Sequence, residues 1–196
     1  RADNFLIKLS HSLQSEGDDA RMNLLMQAVP DFERIGDYAV NLTENAEELR
    51  GKGIEFSETA QQELQVLGEA LREIMDYAYR SFTAVDAQTA RRIEPVEEVV
   101  DDMVATLRTN HIRRLRDGQC TVYAGLVFLD ILINAERIAD QCSNLGVYTI
   151  SQFDPSVMNS HHEYIHRLHQ GNDPVFNREY QEKHEKYFGM LSAIND

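Results

Sequence analysis

The sequence predicts an all-α protein built as a bundle of long antiparallel helices. Over most of the 196 residues, apolar side chains recur in steps of three and four, the spacing that places them on one side of an α-helix. No stretch alternates apolar and polar residues for long enough to indicate a β-strand. With 42% hydrophobic residues and only four prolines, the chain has the composition of a helix-rich globular protein with a core of its own.

The first two long helices are predicted from continuous apolar stripes. One covers residues 22–49 and the other covers residues 59–83. Thr59 and Gln62 have the spacing of a capping box, in which two side chains bond backbone N–H groups at a helix start. We therefore expect the second helix to begin there.

Two more long helices follow. The third carries the apolar residues of 96–107 and is expected to end near Asp117. Pro95 either lies in its first turn, where the missing N–H costs least, or kinks a longer helix that starts near Asp86. The fourth is predicted over residues 121–150, and its first half is expected to be the most buried because it is apolar around its circumference.

The C-terminal part of the sequence predicts shorter structural elements. "SQFDPS" breaks the fourth helix, a histidine-rich segment covers residues 159–169, and "GNDP" marks a turn. A final helix is predicted over residues 176–194.

Charge and cysteine content exclude several classes of function. A net charge of −14 repels phosphate backbones and anionic lipid surfaces, so we expect no nucleic-acid partner. The two cysteines give neither a disulfide framework nor a zinc signature. The longest apolar stretch, residues 125–133, is far too short to span a membrane.

Part of the sequence occurs twice. "DFERIGDYAVN" at residues 31–41 is matched by "NAERIADQCSN" at 134–144, and similar segments precede them, "NFLIKLS" at 4–10 and "NHIRRLR" at 110–116. We interpret this as an internal duplication of a three-helix unit. The second unit is complete, whereas the first holds only its last part, so we expect about two helices of a longer protein before Arg1.

Three of the predicted helices carry carboxylates spaced four residues apart, on the side away from the apolar stripe. The pairs are Glu33 with Asp37, Glu97 with Asp101, Glu98 with Asp102, and Glu136 with Asp140. At this spacing the Cβ atoms lie about 5–6 Å apart, so two negative charges repel each other. Surface acids are usually only solvated, with Arg34 and Arg137 as local counter-charges here. A bound hard cation such as Mg²⁺, Mn²⁺, Ca²⁺ or iron is the alternative, and the duplication favours it.

"DFERIGDYAVNLTE" resembles the signature of the PhoU family of phosphate-uptake regulators, which are built from two three-helix repeats. The resemblance implies metal binding, because the family's E(D)xxxD motifs bind multinuclear metal clusters. Glu33 with Asp37 and Glu136 with Asp140 match the motif of the third helix of each repeat, and either Glu97 with Asp101 or Glu98 with Asp102 matches that of the middle helix. It implies iron or another divalent cation as the cofactor. One acid pair of the family has no match in this chain, and the second copy has Ala139 where Gly is usual.

The same resemblance divides the chain into three parts. Residues 1–56 are the remainder of the first PhoU-like repeat, and residues 57–152 are the complete second repeat. Residues 153–196 form a C-terminal helical appendage.

More narrowly, "FLIKLS" before "DFERIGDYAVN", together with the appended "HHEYIHRL…YQEKHEKYFGML", is similar to the cytoplasmic C-terminal region of bacterial sodium/phosphate cotransporters. That implies a non-catalytic regulatory domain on the cytoplasmic side of the cell membrane, with the membrane spans upstream of this chain. Its expected partners are the membrane portion of its own transporter or a second copy of the chain. A free-standing PhoU regulator is the alternative, since it shares the repeats without needing the tail.

Two enzyme classes rank below the regulatory interpretation. "HEYIH" at residues 162–166 satisfies the H-E-x-x-H pattern of zinc proteases, with Glu182 and Glu185 as candidate third ligands. No sheet edge is predicted that could bind an extended peptide, however. A di-iron carboxylate oxidoreductase needs two Glu-x-x-His pairs facing a bundle interior, and only Glu163 with His166 fits.

Overall fold

The structure is a computed structural model that describes residues 2–10, 16–159 and 161–195. In these ranges every regular element is helical, which confirms the predicted all-α bundle. The α-helices are α1 (Ala2–Ser10), α2 (Glu16–Lys52), α3 (Glu58–Ala84), α4 (Ala87–Ala90), α5 (Ile93–Arg116), α6 (Val122–Ser151), α7 (Pro155–Asn159), α8 (His161–Arg167) and α9 (Pro174–Asn195), and a π-helical turn, Leu168–Asn172, joins α8 to α9.

All four long helices predicted from the sequence are present, but the starts of two are set differently from the prediction. Ser57 caps α3 by accepting a hydrogen bond from the backbone N–H of Ala60, so the capping box expected at Thr59 was wrong. Asp86 caps the separate short helix α4, and Pro95 lies in the first turn of α5. The structure therefore decides between the two roles left open for Pro95, because the chain turns between α4 and α5.

The hydrophobic core lies between α3, α5 and α6. Ile74 of α3, Val100 and Leu107 of α5, and Phe128 and Leu132 of α6 are fully buried in one cluster. Burial of each large side chain stabilises the fold by roughly 1.5–3 kcal/mol. These three helices form the rigid frame on which the candidate site is placed.

The expectation that the first half of α6 is the more buried was wrong. Val122 and Leu126 are exposed in that half, whereas the second half buries Ile138, Cys142 and Leu145. The second half is covered by α4 and α5 and by the middle of α2. The distribution of apolar residues around α6 therefore did not predict which half of the helix other helices cover.

Helices α2 and α6, which carry the two copies of the repeated motif, pack against each other. Nη1 of Arg34 reaches Oε1 of Gln141 over 3.4 Å, and Nδ2 of Asn45 donates to Oδ2 of Asp130 over 2.8 Å. Between them, Asn41 donates to Asn134 over 2.9 Å. Residue numbers rise along α2 as they fall along α6, so the two helices that carry the repeated motif meet in antiparallel orientation.

The tail folds back onto the bundle. Helix α9 packs along α3 and α5, and its Tyr187 and Leu191 are buried in the main core. Val157 of α7 joins a smaller cluster with Ala90 and Ile150. None of the helices that the structure describes combines the length and apolarity needed to cross a membrane.

Candidate metal centre

Helix α5 presents its two acid pairs to different neighbours. Glu97 and Asp101 turn toward α6, where their strongest charged neighbours include Asp140. Asp102, in the other pair, accepts a hydrogen bond of 2.6 Å from the hydroxyl of Tyr180 in the tail. Oε2 of Glu98 lies 3.2 Å from Nδ1 of His169 in the π-helical turn. The structure therefore distinguishes the two acid pairs of α5: Glu97 with Asp101 is directed toward α6, and Glu98 with Asp102 contacts the tail.

A cavity of about 420 Å³ lies where α5, α6 and the π-helical turn meet. Its lining residues are Glu94, Glu97, Glu98, Asp101, Asp140, Ser143, Asn144, Ile165 and His169. Asn144 follows Asp140 by one helical turn, as the repeated motif requires. The cavity is therefore walled mainly by carboxylates and is open enough to admit hydrated ions.

Glu97 is buried, which contradicts the prediction that the acids of α5 all point outward. Glu97 is only 8% exposed to solvent. The prediction failed because α5 is surrounded by α3, α6 and α9, so the side away from its apolar stripe is also covered. Glu98, Asp101 and Asp102 are half-buried for the same reason, whereas Asp140 is exposed.

Burial and mutual repulsion raise the pKa values of the clustered acids. Desolvation, followed by the charges of Glu94, Asp101 and Asp140, raises the pKa of Glu97 to about 10. Desolvation and the charges of Glu136 and Asp140 raise the pKa of Asp101 to about 7. Desolvation and Glu136 also raise the pKa of Asp140. A pKa raised in this way means that the ionised form of the acid carries a free-energy cost, which protonation avoids and which a bound cation would also reduce.

Arg137 acts to lower the pKa of Asp140, and His169 acts to lower that of Glu98, but burial and the other acids outweigh them. Nη2 of Arg108 lies 3.6 Å from Oε2 of Glu136, but both side chains are more than a third exposed, so the pair is worth little. Oδ1 of Asp101 is buried and has no hydrogen-bond partner among the described residues. A buried oxygen without a donor, surrounded by further carboxylates, is the chemistry expected of a divalent-cation site.

Of the predicted acids, Glu97, Glu98 and Asp101 of α5 and Asp140 of α6 line the cavity, whereas Glu136 does not. The charge of Glu136 raises the pKa values of Asp101 and Asp140, so Glu136 lies near both. We refer to Glu97, Asp101, Glu136 and Asp140 as the facing acids. Their oxygens suit hard cations and also manganese or iron.

Glu33 and Asp37 are not part of this arrangement. Both are exposed on α2, and neither lines the cavity. Arg34, between them, pairs with Asp31 over 3.0 Å rather than with either acid. Within the described residues they are an acid pair without a facing pair.

Sequence reasoning missed two titratable residues of the cavity, Glu94 and His169. Glu94 is buried and precedes Glu97 by three residues, a spacing that places both on one helix face and was visible in the sequence. His169 approaches Glu94 only because the tail folds back, and no local pattern signals that contact.

The two enzyme arrangements are not assembled among the described residues. Glu163 and His166 are exposed, and Nδ1 of His166 lies 3.1 Å from Nε2 of Gln170 rather than near an acid. The side chain of His162 lies outside the described residues. Glu182 and Glu185 are exposed on α9.

The chain was compared with known protein families, and the matching stretch includes α5 and α6, which supply most of the cavity lining. Residues 64–149, from α3 to the end of α6, match the family described as PhoU domain. All four facing acids lie within that stretch.

Two curated relatives are similar to the chain. "Phosphate-specific transport system accessory protein PhoU homolog 1" from Thermotoga maritima is 30% identical over 115 residues, which is 59% of this chain and 49% of the relative. "Phosphate-specific transport system accessory protein PhoU homolog" from Synechocystis is 27% identical over 125 residues, or 64% of this chain and 54% of the relative. The chain thus spans about half the length of these relatives. No solved structure matches it.

Proposed function

We propose that this chain, whose residues 64–149 match the PhoU domain family, is a regulatory domain of phosphate transport that binds divalent cations between α5 and α6. The observation that carries this proposal is the approach of Glu97 and Asp101 on α5 to Asp140 on α6 in one cavity, with Glu136 near enough to raise the pKa of Asp101. The bound ion is iron or another divalent cation.

The acids of the two helices have complementary roles in this proposal. Glu97 and Asp101 supply oxygens from α5, while Glu136 and Asp140 supply them from α6. A cation supplies positive charge that cancels their repulsion. Because it bonds to both helices, it holds them at one separation and angle.

Regulation follows if the domain has two arrangements that differ in cation affinity. A ligand shifts a conformational equilibrium only by its difference in affinity for the two states. The arrangement favoured by the cation then presents one surface to a partner, and the cation-free arrangement presents another. The partner proposed here is the membrane portion of the chain's own transporter, with a second copy of the chain as the alternative.

The role is regulatory rather than catalytic. The relatives are named accessory proteins of phosphate-specific transport, which supports a regulatory role. The tail supports the narrower assignment to a sodium-dependent phosphate cotransporter, on the cytoplasmic side of the membrane. Residues 153–195 lie outside the stretch that matches PhoU domains and pack onto the bundle as an added part.

The names of the relatives also favour a second candidate, a free-standing accessory protein that acts on a transporter made by other chains. The coding sequence upstream of Arg1 separates the two candidates. Apolar stretches of about 20 residues there support the cotransporter, whereas only soluble helical sequence supports the accessory protein.

Metal analysis of the purified chain tests cation binding. We expect the wild type to retain a transition metal after dialysis and the Glu136→Ala/Asp140→Ala variant to retain less of it. Glu33→Ala/Asp37→Ala is the matched control, because it removes an acid pair of the same spacing that lies outside the cavity. Equal metal content in the wild type and the Glu136→Ala/Asp140→Ala variant would refute the proposed site.

A further inference from the structure

We propose that His169 of the C-terminal tail is a nitrogen ligand in a second cation site, formed with Glu94 and Glu97 beside the four facing acids. The inference rests on the proposed function, since it requires the cavity to take up divalent cations. It adds a ligand from outside the stretch that matches PhoU domains, residues 64–149. The tail thereby becomes part of the metal-binding apparatus.

The geometry of the three side chains carries the inference. One ligand atom from each of Glu94, Glu97 and His169 lies within 4.8 Å of the other two. Nε2 of His169 is 2.9 Å from Oε1 of Glu94. A cation that bonds nitrogen and oxygen ligands at about 2.0–2.2 Å can reach all three after small side-chain rotations.

The ligand atoms are held in place by their surroundings. The hydroxyl of Ser143 donates a hydrogen bond to Oε2 of Glu94, which leaves Oε1 directed toward His169. Such outer contacts orient metal ligands and are a regular part of metal sites. Gly171 has a φ of 75°, a value that favours glycine, and it lies inside the π-helical turn that carries His169.

The donor set also indicates which ions the site prefers. Imidazole suits zinc, iron, copper and nickel, whereas Mg²⁺ and Ca²⁺ prefer oxygen ligands alone. Two carboxylates and one imidazole therefore favour a transition metal. The four facing acids have only oxygens, so the two sites differ in selectivity and share Glu97.

A cation at this site links α5 to the tail. Glu94 and Glu97 belong to α5, and His169 lies between α8 and α9. If the ion binds only when the tail is docked, it stabilises the docked state by mass action. At an ion concentration 100 times the dissociation constant, opening of the tail falls about 100-fold.

The test follows the histidine rings of the full chain by ¹⁵N NMR during titration with Zn²⁺. We expect the ring signal that is missing in His169→Ala to shift to a metal-bound position in the wild type. The zinc affinity of His169→Ala should fall at least about tenfold. His166→Ala is the matched control, because His166 is an exposed histidine of the same tail and should leave the affinity unchanged. His169→Asn replaces the alanine variant if the latter does not fold.

Amide hydrogen exchange of residues 161–175 measures the link to the tail. We expect Zn²⁺ to slow exchange there in the wild type but not in His169→Ala or His169→Asn. One result would overturn this inference and leave the proposed function intact. In it, the wild type takes up zinc without a shift of the His169 ring signal, and zinc uptake is lost only in the Glu136→Ala/Asp140→Ala variant. Absence of zinc uptake, together with equal content of other metals in wild type and Glu136→Ala/Asp140→Ala, would overturn both.

Discussion

The ammonium group of Lys183 donates a hydrogen bond of 2.8 Å to Oε1 of Glu73, which fastens α9 to α3. Glu73 also accepts hydrogen bonds from Lys186 over 2.9 Å and from the hydroxyl of Tyr187. Burial alone would raise the pKa of Glu73, but the hydrogen bonds from Lys183, Tyr187 and Lys186 outweigh it and lower the pKa to about 2. One carboxylate therefore anchors three residues of the tail.

We predict that acid loosens the tail through Glu73. Its folded pKa of about 2 lies below the ordinary value of 4.5, so its contribution to stability is fully present above the ordinary value. That contribution is lost as the pH falls through this window toward the folded pKa. Chemical shifts of the α9 amides, followed by NMR from neutral to acid pH, measure the change.

Two variants separate Glu73 from general acid effects. Glu73→Gln should loosen α9 already at neutral pH, and its α9 shifts should change less on acidification. Glu182→Gln, which alters an exposed acid of α9, should behave as the wild type. An α9 that stays docked in Glu73→Gln would show that the carboxylate is not its anchor.

Neighbouring aspartates of α5 should have different effects on metal binding. Asp101→Ala removes an oxygen directed toward α6 and should lower metal affinity by at least about tenfold. Asp102→Ala removes the acceptor of the Tyr180 hydroxyl and should loosen α9 with little change in affinity. Isothermal titration calorimetry with Mn²⁺ checks both variants. If Asp102→Ala lost the greater affinity, the register assigned here would be wrong.

The buried ion pair between Glu63 and Arg114 should be costly to break. Nη2 of Arg114 lies 2.7 Å from Oε2 of Glu63, with the two side chains 8% and 0% exposed. Removing one partner of a buried pair leaves an unpaired charge and costs about 3–5 kcal/mol, so Glu63→Gln should lower the free energy of unfolding by that amount.

Urea denaturation at neutral pH measures this loss. Asp76→Asn serves as the control, because its pair with Arg80 is mostly exposed and should contribute less than about 1 kcal/mol. A Glu63→Gln variant as stable as Asp76→Asn would contradict the assigned role of the buried pair.

Alanine should have opposite effects at two glycines. A Cβ atom at Gly146 would lie 3.0 Å from Cδ1 of Ile93 and 3.3 Å from the carbonyl oxygen of Ala90, so Gly146→Ala should destabilise the protein. At Gly68 the nearest atom is 3.6 Å away, on the flexible side chain of Arg72. Gly68→Ala should therefore stabilise α3 by roughly 0.5–1 kcal/mol. Melting temperatures of both variants check this, and equal shifts would contradict the close approach at Gly146.

The long helices were predictable because their patterns are local. Each apolar stripe repeats over several turns, so 22–49 and 59–83 were identified without knowledge of any neighbour. Local capping was less certain, since Ser57 and Thr59 are both good capping residues and only the backbone path chooses between them. The acid pairs could also be identified from the sequence, because their spacing of four residues is a local pattern.

What the sequence could not provide depends on tertiary contacts. The burial of Glu97 requires α6 and the tail to cover α5, and periodicity within α5 carries no information about either. His169 reaches Glu94 across a separation of 75 residues. The choice between Asp101 and Asp102 as partner of Asp140 depends on a rotation of α5 that the local pattern left open.

Anomalous X-ray diffraction from crystals of the full chain soaked in Mn²⁺ tests the central claim most directly. We predict an anomalous peak between α5 and α6, within about 2.0–2.6 Å of oxygens from Glu97, Asp101, Glu136 and Asp140. Crystals of Glu136→Ala/Asp140→Ala should lack it. A wild-type map without a peak at these oxygens, or a peak that persists unchanged in the variant, would contradict the claim that the facing acid pairs hold a cation.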